Sequence, residues 1–256
     1  MKAGKIIATI ALAVLTLSCK TELKTYVLEV RSEFPHDRGA YTQGLFIDGG
    51  ELFESTGQYG SSSLRKVELE TGKVLSRVDF PEDVFIEGSV LFKGSIYVLT
   101  WQEGIVYKFD PDTFEETGML TGYPHQGWGL TTDGEYLIAS DGSSRLYFLD
   151  ENFRKVRELP VRRGSNTVPQ LNELEYIDGL IWANIYTKDE VVMIDPETGK
   201  VVGSIDCTGL LPDDLRRRNT DVLNGIAYDR DNGKIYMTGK NWPRLYEVAL
   251  IETNNK

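Results

Sequence analysis

Residues 171–184 read LNELEYIDGLIWAN. An asparagine and two glutamates lead into an apolar pair, a glycine turn and an alternating apolar run, the pattern of a β-hairpin whose first strand starts polar. The pattern returns along the chain, and its recurrence decides the fold. YTQGLFIDGGELFEST (41–56), FIEGSVLFKGSIYVLT (85–100), GWGLTTDGEYLIAS (127–140) and VLNGIAYDRDNGKIYMT (222–238) follow the same plan. The equivalent positions are Gln43, Glu87, Trp128, Asn172 and Asn224, at intervals of 44, 41, 44 and 52 residues.

A second hairpin follows within each of the first four units, turning at ELETGK (68–73), DPDTFEE (110–116), DENFRK (150–155) and DPETGK (195–200). Period-2 apolar runs such as VYKFD, RLYFLD and VVMID flank these turns. A period of about 40–50 residues with roughly four short strands per unit predicts an all-β chain folded as a five-bladed β-propeller. Only LLPDDLRRR (210–218) breaks the pattern, and it reads as a short helix or capping loop.

In such a ring the first strand of each blade lines the axis, so the five equivalent positions converge. A purely structural ring would carry small, similar residues there; Gln, Glu, Trp, Asn and Asn are neither. Fourteen residues further on lie Gly57, Trp101, Gly142 and Tyr186, and sixteen after Asn224 lies Lys240, two extra residues being taken up by the DRDNGK turn. One carboxylate, one ammonium and three amides among aromatic walls describe a small-molecule pocket. Period-2 alternation turns Glu173 away from this ring and leaves Glu175 a step off it, so both are expected to be solvated.

The pocket chemistry follows from residue type. A carboxylate desolvated by aromatic rings has a raised pKa and can exchange protons near neutrality. Lysine and amide donors can stabilise a developing oxyanion. No G-x-S-x-G nucleophile elbow is present, which points to a substrate that supplies its own nucleophile. His36 and His125 are the only histidines and show no metal-ligand spacing, so no metal or other cofactor is expected, a structural ion in the channel being the open alternative. DRDNG (229–233) opens like a calcium loop but lacks the later glutamate and reads as a hairpin turn.

Bulk properties set the outer limits. With 256 residues, 41% of them hydrophobic, the chain can bury a large core. A net charge of −11 repels phosphate backbones, so nucleic acid is excluded as a partner. Lys2 and Lys5 precede the apolar IIATIALAVLTL, too short to span a bilayer, and then comes Cys19. These are the parts of an export signal over residues 1–18. TLSC (16–19) resembles a bacterial lipoprotein box, with its leucine two residues before the cysteine. Cleavage there would leave Cys19 lipidated and the protein exported: periplasmic, or anchored to the membrane of a bacterial envelope. Residues 19–36 then form a tether and first strand, and 37–256 the propeller. Cys207 has no partner and is expected to be a small buried hydrophobe.

YTQGL, FIEGS, GWGL, LNELEYIDGLIWAN, IDPETGKV, LNGIAYD and TGKNWPRLYEV, in that order, resemble the plant- and bacterial-type glutaminyl-peptide cyclotransferases from Tyr41 to Leu250. The resemblance implies a five-bladed propeller that converts the N-terminal glutamine of a peptide or protein to pyroglutamate and releases ammonia. It implies Glu87 as the general acid/base, with Lys240 and Asn172 polarising the γ-carbonyl. Gln43 would orient the substrate, and Tyr41, Phe85, Trp101, Trp128 and Tyr186 would form the apolar wall. Tyr186 stands where relatives commonly carry tryptophan. Two alternatives stay open on the residues alone: a non-catalytic envelope propeller that binds a peptide or protein through the same mouth, and a lactonase-like metal-dependent hydrolase, for which one carboxylate is too few.

Overall fold

The alternating apolar runs and Gly/Asp turns produce 22 strands and one 3-10 turn in the computed structural model, which describes residues 23–253. The export signal expected over residues 1–18 and the lipidation expected at Cys19 lie outside the described residues.

Strand β1 (Lys24–Pro35) is followed by the antiparallel sheet β2 (Thr42–Asp48), β3 (Glu51–Thr56), β4 (Ser63–Val67) and β5 (Val74–Asp79). A second sheet follows in the same order: β6 (Ile86–Phe92), β7 (Ser95–Thr100), β8 (Ile105–Phe109) and β9 (Glu116–Thr121). A third is β10 (Leu130–Thr132), β11 (Leu137–Ser140), β12 (Arg145–Leu149) and β13 (Lys155–Pro160). A small hairpin, β14 (Arg162–Arg163) and β15 (Asn166–Thr167), comes before the last sheet. That sheet joins β16 (Leu171–Ile177), β17 (Leu180–Ile185), β18 (Glu190–Ile194) and β19 (Val201–Asp206) to β20 (Leu223–Asp229), β21 (Lys234–Gly239) and β22 (Arg244–Glu252) through β1. β1 runs parallel to β19 and antiparallel to β22.

Burial grades along the first two meanders. β2 and β6 are buried on both faces through most of their length, whereas β5 and β9 alternate between half-buried or exposed positions. The first strands pack in cyclic order: β2 against β6 and β20, β10 against β6 and β16, and β16 against β20. Five apolar clusters fill the spaces between neighbouring meanders, among them Phe46 and Phe53 against Ile86 and Val98, and Leu45 and Leu52 against Ala227 and Tyr236.

Four of the five first strands carry a register shift at the repeat anchor: between Thr42 and Gly44, Ile86 and Ser89, Leu171 and Leu174, and Leu223 and Ile226. A bulge re-aims the side chains on either side of it. This overturns the expectation for Glu173 and Glu175, because strict alternation does not survive the bulge. Both are buried, at 1% and 5% exposure. Glu173 accepts the backbone N–H of Ile226 at 2.9 Å and of Leu45 at 3.4 Å, so its carboxylate ties β16 to β20 and β2. Glu175 accepts the N–H of Tyr228 at 3.1 Å and the hydroxyl of Thr131 at 3.2 Å. They are axial crosslinks.

The other expectations tied to local sequence find simple physical counterparts. The 210–218 segment holds a 3-10 turn at Asp213–Leu215. In the 229–233 turn Asp229 Oδ1 accepts the N–H groups of Asp231 and Asn232. Cys207 is free and buried.

Candidate active site

The nine residues singled out in the sequence as catalytic or substrate-binding line one pocket of about 260 Å³, together with Gln58. First-strand residues make its floor. Gln43, Glu87 and Asn172 are all buried, brought there by the bulges. Asn224, the fifth anchor, lies beneath the pocket: its Nδ2 donates to Thr42 O at 2.9 Å and approaches Gln43 Oε1 at 3.4 Å. With its oxygen engaged, Gln43 keeps its amide hydrogens for the cavity. The side-chain oxygen of Asn172 is buried and has no protein partner among the described residues.

The wall is an aromatic collar. Phe85 meets Tyr41 edge-on at 6.4 Å and Trp101 at 5.6 Å, and Trp128 meets Tyr186 at 5.5 Å. Offset and edge-on contacts of this kind hold rings at fixed angles. Lys240 Nζ closes the circle, 4.7 Å from the Tyr41 centroid and 5.1 Å from that of Tyr186. The phenol expected to be the weakest match to the family pattern is therefore one of the two rings that face the ammonium. Gly57 and Gly142 complete the geometry, since a Cβ at Gly142 would stand 2.6 Å from the Trp128 ring and one at Gly57 would collide with Phe85.

The electrostatics are set by burial. Desolvation pushes the Glu87 carboxyl well above its ordinary range; Lys240 opposes this and Glu103 adds to it. Desolvation also lowers the Lys240 ammonium, with Glu87 and Asp221 holding it up. None of the ion pairs among the described residues joins Glu87 to Lys240, and no described side chain or backbone N–H donates to the Glu87 carboxylate. An acid and a cation are thus held in one cavity, both unclaimed. Such an arrangement can relay a proton and stabilise an oxyanion on a ligand placed between them.

Three neighbours had no repeat signal to reveal them. Gln126 Oε1 accepts both indole N–H groups, from Trp101 at 3.0 Å and Trp128 at 3.2 Å. Asp221 accepts the Tyr41 hydroxyl at 3.0 Å and its field acts on Lys240. Gln58 lines the rim with φ of 103°, a left-handed conformation. All three sit in loops of unequal length, where spacing carries no register. The histidines lie elsewhere: His36 bonds buried Glu54 at 2.9 Å, and His125 stacks on Tyr147 at 4.0 Å. Among the described residues no group of three or more His, Cys, Asp or Glu side chains is placed to hold an ion.

Known proteins are similar to this chain over most of its length. A family model described as glutamine cyclotransferase matches residues 5–250. The chain is 40% identical over 233 residues to a glutaminyl-peptide cyclotransferase of Arabidopsis thaliana, covering 90% of this chain and 73% of that protein. The crystal structure of Myxococcus xanthus glutaminyl cyclase superposes with a TM-score of 0.85 at 35% identity, covering 91% of this chain and all of the other.

Proposed function

The chain belongs to the glutamine cyclotransferase family, so its reaction is the cyclisation of an N-terminal glutaminyl residue, and we propose that Glu87 is the group that moves the protons. The free α-amine attacks the γ-carboxamide carbon of its own residue. One C–N bond forms, the bond to the amide nitrogen breaks, and ammonia leaves. Glu87 takes a proton from the attacking amine and returns one to the departing nitrogen, ending as it began. The observation that carries this is the pair of buried ionisable groups, Glu87 and Lys240, facing one aromatic-walled cavity with no ion pair between them.

Lys240 and the Asn172 amide polarise the γ-carbonyl and bind its oxygen as negative charge develops. Asn172 Oδ1, without a protein partner, is left to accept an N–H of the substrate. Gln43, oriented by Asn224, positions the glutaminyl group, and the collar of Tyr41, Phe85, Trp101, Trp128 and Tyr186 holds it and excludes water. A flexible side chain curled against its own amine reacts faster when so confined. The scheme uses no cofactor. No observation favours a purely binding role.

The same reading takes the fold as a five-bladed propeller. Its support is the cyclic packing of β2, β6, β10, β16 and β20, the four-stranded order of the successive meanders, and the five interposed cores. It also takes the chain as exported, with residues 1–18 as signal, Cys19 as a lipidated anchor on a bacterial envelope and 19–36 as tether and first strand; the leader composition supports this.

Ammonia release from a short peptide with N-terminal glutamine tests the assignment, run with protein from Lys20 onward, its Glu87→Gln variant and an EDTA arm. Turnover that survives chelation and falls by about 10²–10⁴ in the variant is expected, the range for loss of a positioned acid/base. Full activity in a folded Glu87→Gln protein would remove Glu87 from the mechanism.

A further inference from the structure

The aromatic collar does not end at the pocket. Tyr59, on the loop after β3, is a large side chain left 49% exposed, yet its ring lies 5.4 Å from Phe85 and 6.5 Å from Trp101, both of which line the cavity. The neighbouring Gln58 lines the same cavity in its left-handed conformation. The Tyr59 hydroxyl donates to Glu103 Oε1 at 3.1 Å, so the ring and the carboxylate form one ledge. Glu103 pairs with no lysine or arginine among the described residues; its other contact is the N–H of Gln102. Its field reaches Glu87 inside the pocket.

A peptide whose first residue fills the cavity must leave through the mouth, and its second residue must lie on the rim. We propose that the Tyr59–Glu103 ledge is the subsite for that second residue, its ring taking the aliphatic stem and its carboxylate taking a basic head group. The inference rests on the cyclotransferase reading of the pocket. It names a substrate class within that reading: peptides that begin Gln-Lys or Gln-Arg. An exposed aromatic ring beside an unpaired carboxylate complements a long cationic side chain through its apolar stem and its charge together. The other edge of the mouth is less suited. A groove of about 430 Å³ adjoins it at Tyr186, but there Arg163 is already paired with Glu190 at 2.5 Å and the aromatic ladder stops.

The test is kcat/KM for three peptides differing only at position two, Gln-Lys, Gln-Ala and Gln-Glu, at low and high salt. Wild type should prefer Lys over Glu by about three- to tenfold at low salt, the reach of one exposed charge pair plus one repulsive one, and less at high salt. Glu103→Gln should bring that ratio close to one. Tyr59→Phe should keep the ratio, while Tyr59→Ala should weaken Gln-Lys chiefly through KM. The ratio cancels any general damage to folding or chemistry. An unchanged ratio in Glu103→Gln, or a wild-type preference for glutamate, would place the chain over the Tyr186 edge and overturn the subsite. Cyclisation of all three peptides at equal rates would overturn it while leaving the cyclotransferase reading intact. No turnover of any of them by folded protein would overturn both.

Discussion

The indole N–H groups of Trp101 and Trp128 converge on a single oxygen, Oε1 of Gln126, at 3.0 and 3.2 Å. Two walls of the pocket, contributed by different sheets, are thereby locked to one exposed side chain. Gln126→Ala should release both rings without touching the groups that move protons. A rise of about fivefold in KM with kcat nearly unchanged is expected, one neutral hydrogen bond's worth of ordering. Steady-state kinetics together with tryptophan emission, which should shift in the free variant, check it.

The roles proposed for Glu87 and Lys240 imply a pH window. Burial raises the first above its ordinary 4.5 and lowers the second below its ordinary 10.5. With Glu87 needed as a base and Lys240 as a cation, kcat should rise through an ionisation above 4.5 and fall through one below 10.5, a bell narrower than free side chains would produce. Reading kcat rather than kcat/KM keeps the free peptide's amine out of the profile. A kcat that stays flat between pH 5 and pH 10 contradicts the assignment.

Asp221 should act through Lys240. Its negative charge raises the ammonium pKa against burial. Asp221→Asn keeps groups able to bond the Tyr41 hydroxyl and the Val222 N–H. The alkaline limb should move to lower pH, while activity on the acid side changes by no more than about threefold, one charge at partial exposure. A uniform loss at every pH would mean that Asp221 supports only the loop.

Glu175 offers a stability test away from the chemistry. Burial is the largest cause of its shift and raises its carboxyl to about 7, against 4.5 in the unfolded chain. A raised acid favours folding below the unfolded value, and that contribution is lost as pH rises through the folded one. Glu175→Gln should therefore gain on wild type between pH 5 and pH 8, by about 2 kcal/mol at the upper end, discounting the full 1.36 kcal/mol per unit for the hydrogen bonds that an amide makes less well. Urea midpoints at pH 5 and pH 8 measure the change. Equal differences at both pH values would show the group to be ionised in the fold.

Much of this molecule is legible one residue at a time. The anchors Gln43, Glu87, Trp128, Asn172 and Asn224 can be found because a repeat makes each a copy of the others, and Trp101, Tyr186 and Lys240 because a hairpin of known length follows each anchor. What alternation could not supply was the bulge. It turns Glu173 inward beside Asn172, where the other four units carry glycine, and a solvated turn became a buried crosslink between three strands. Gln126, Asp221 and Gln58 stayed hidden for a different reason: they belong to connecting loops, which share neither length nor pattern from unit to unit, so only folding brings them to the mouth.

Strand β1 has a consequence for the order in which this chain can be made. It is the first described strand to be synthesised, yet its partners are β19 and β22, the latter the last described strand. The meanders β2–β5, β6–β9 and β10–β13 can pair as they emerge, since each contact is local. β1 must wait, with both edges open, until β19 and β22 have been delivered. Its own composition suits that wait: in KTYVLEVRSEFP charged residues interrupt the apolar ones, which discourages pairing with another copy in the meantime. Closure is then a late event that sets β1 between β19 and β22, and a chain cut before Arg244 should leave β1 without its antiparallel partner from Tyr26 to Pro35.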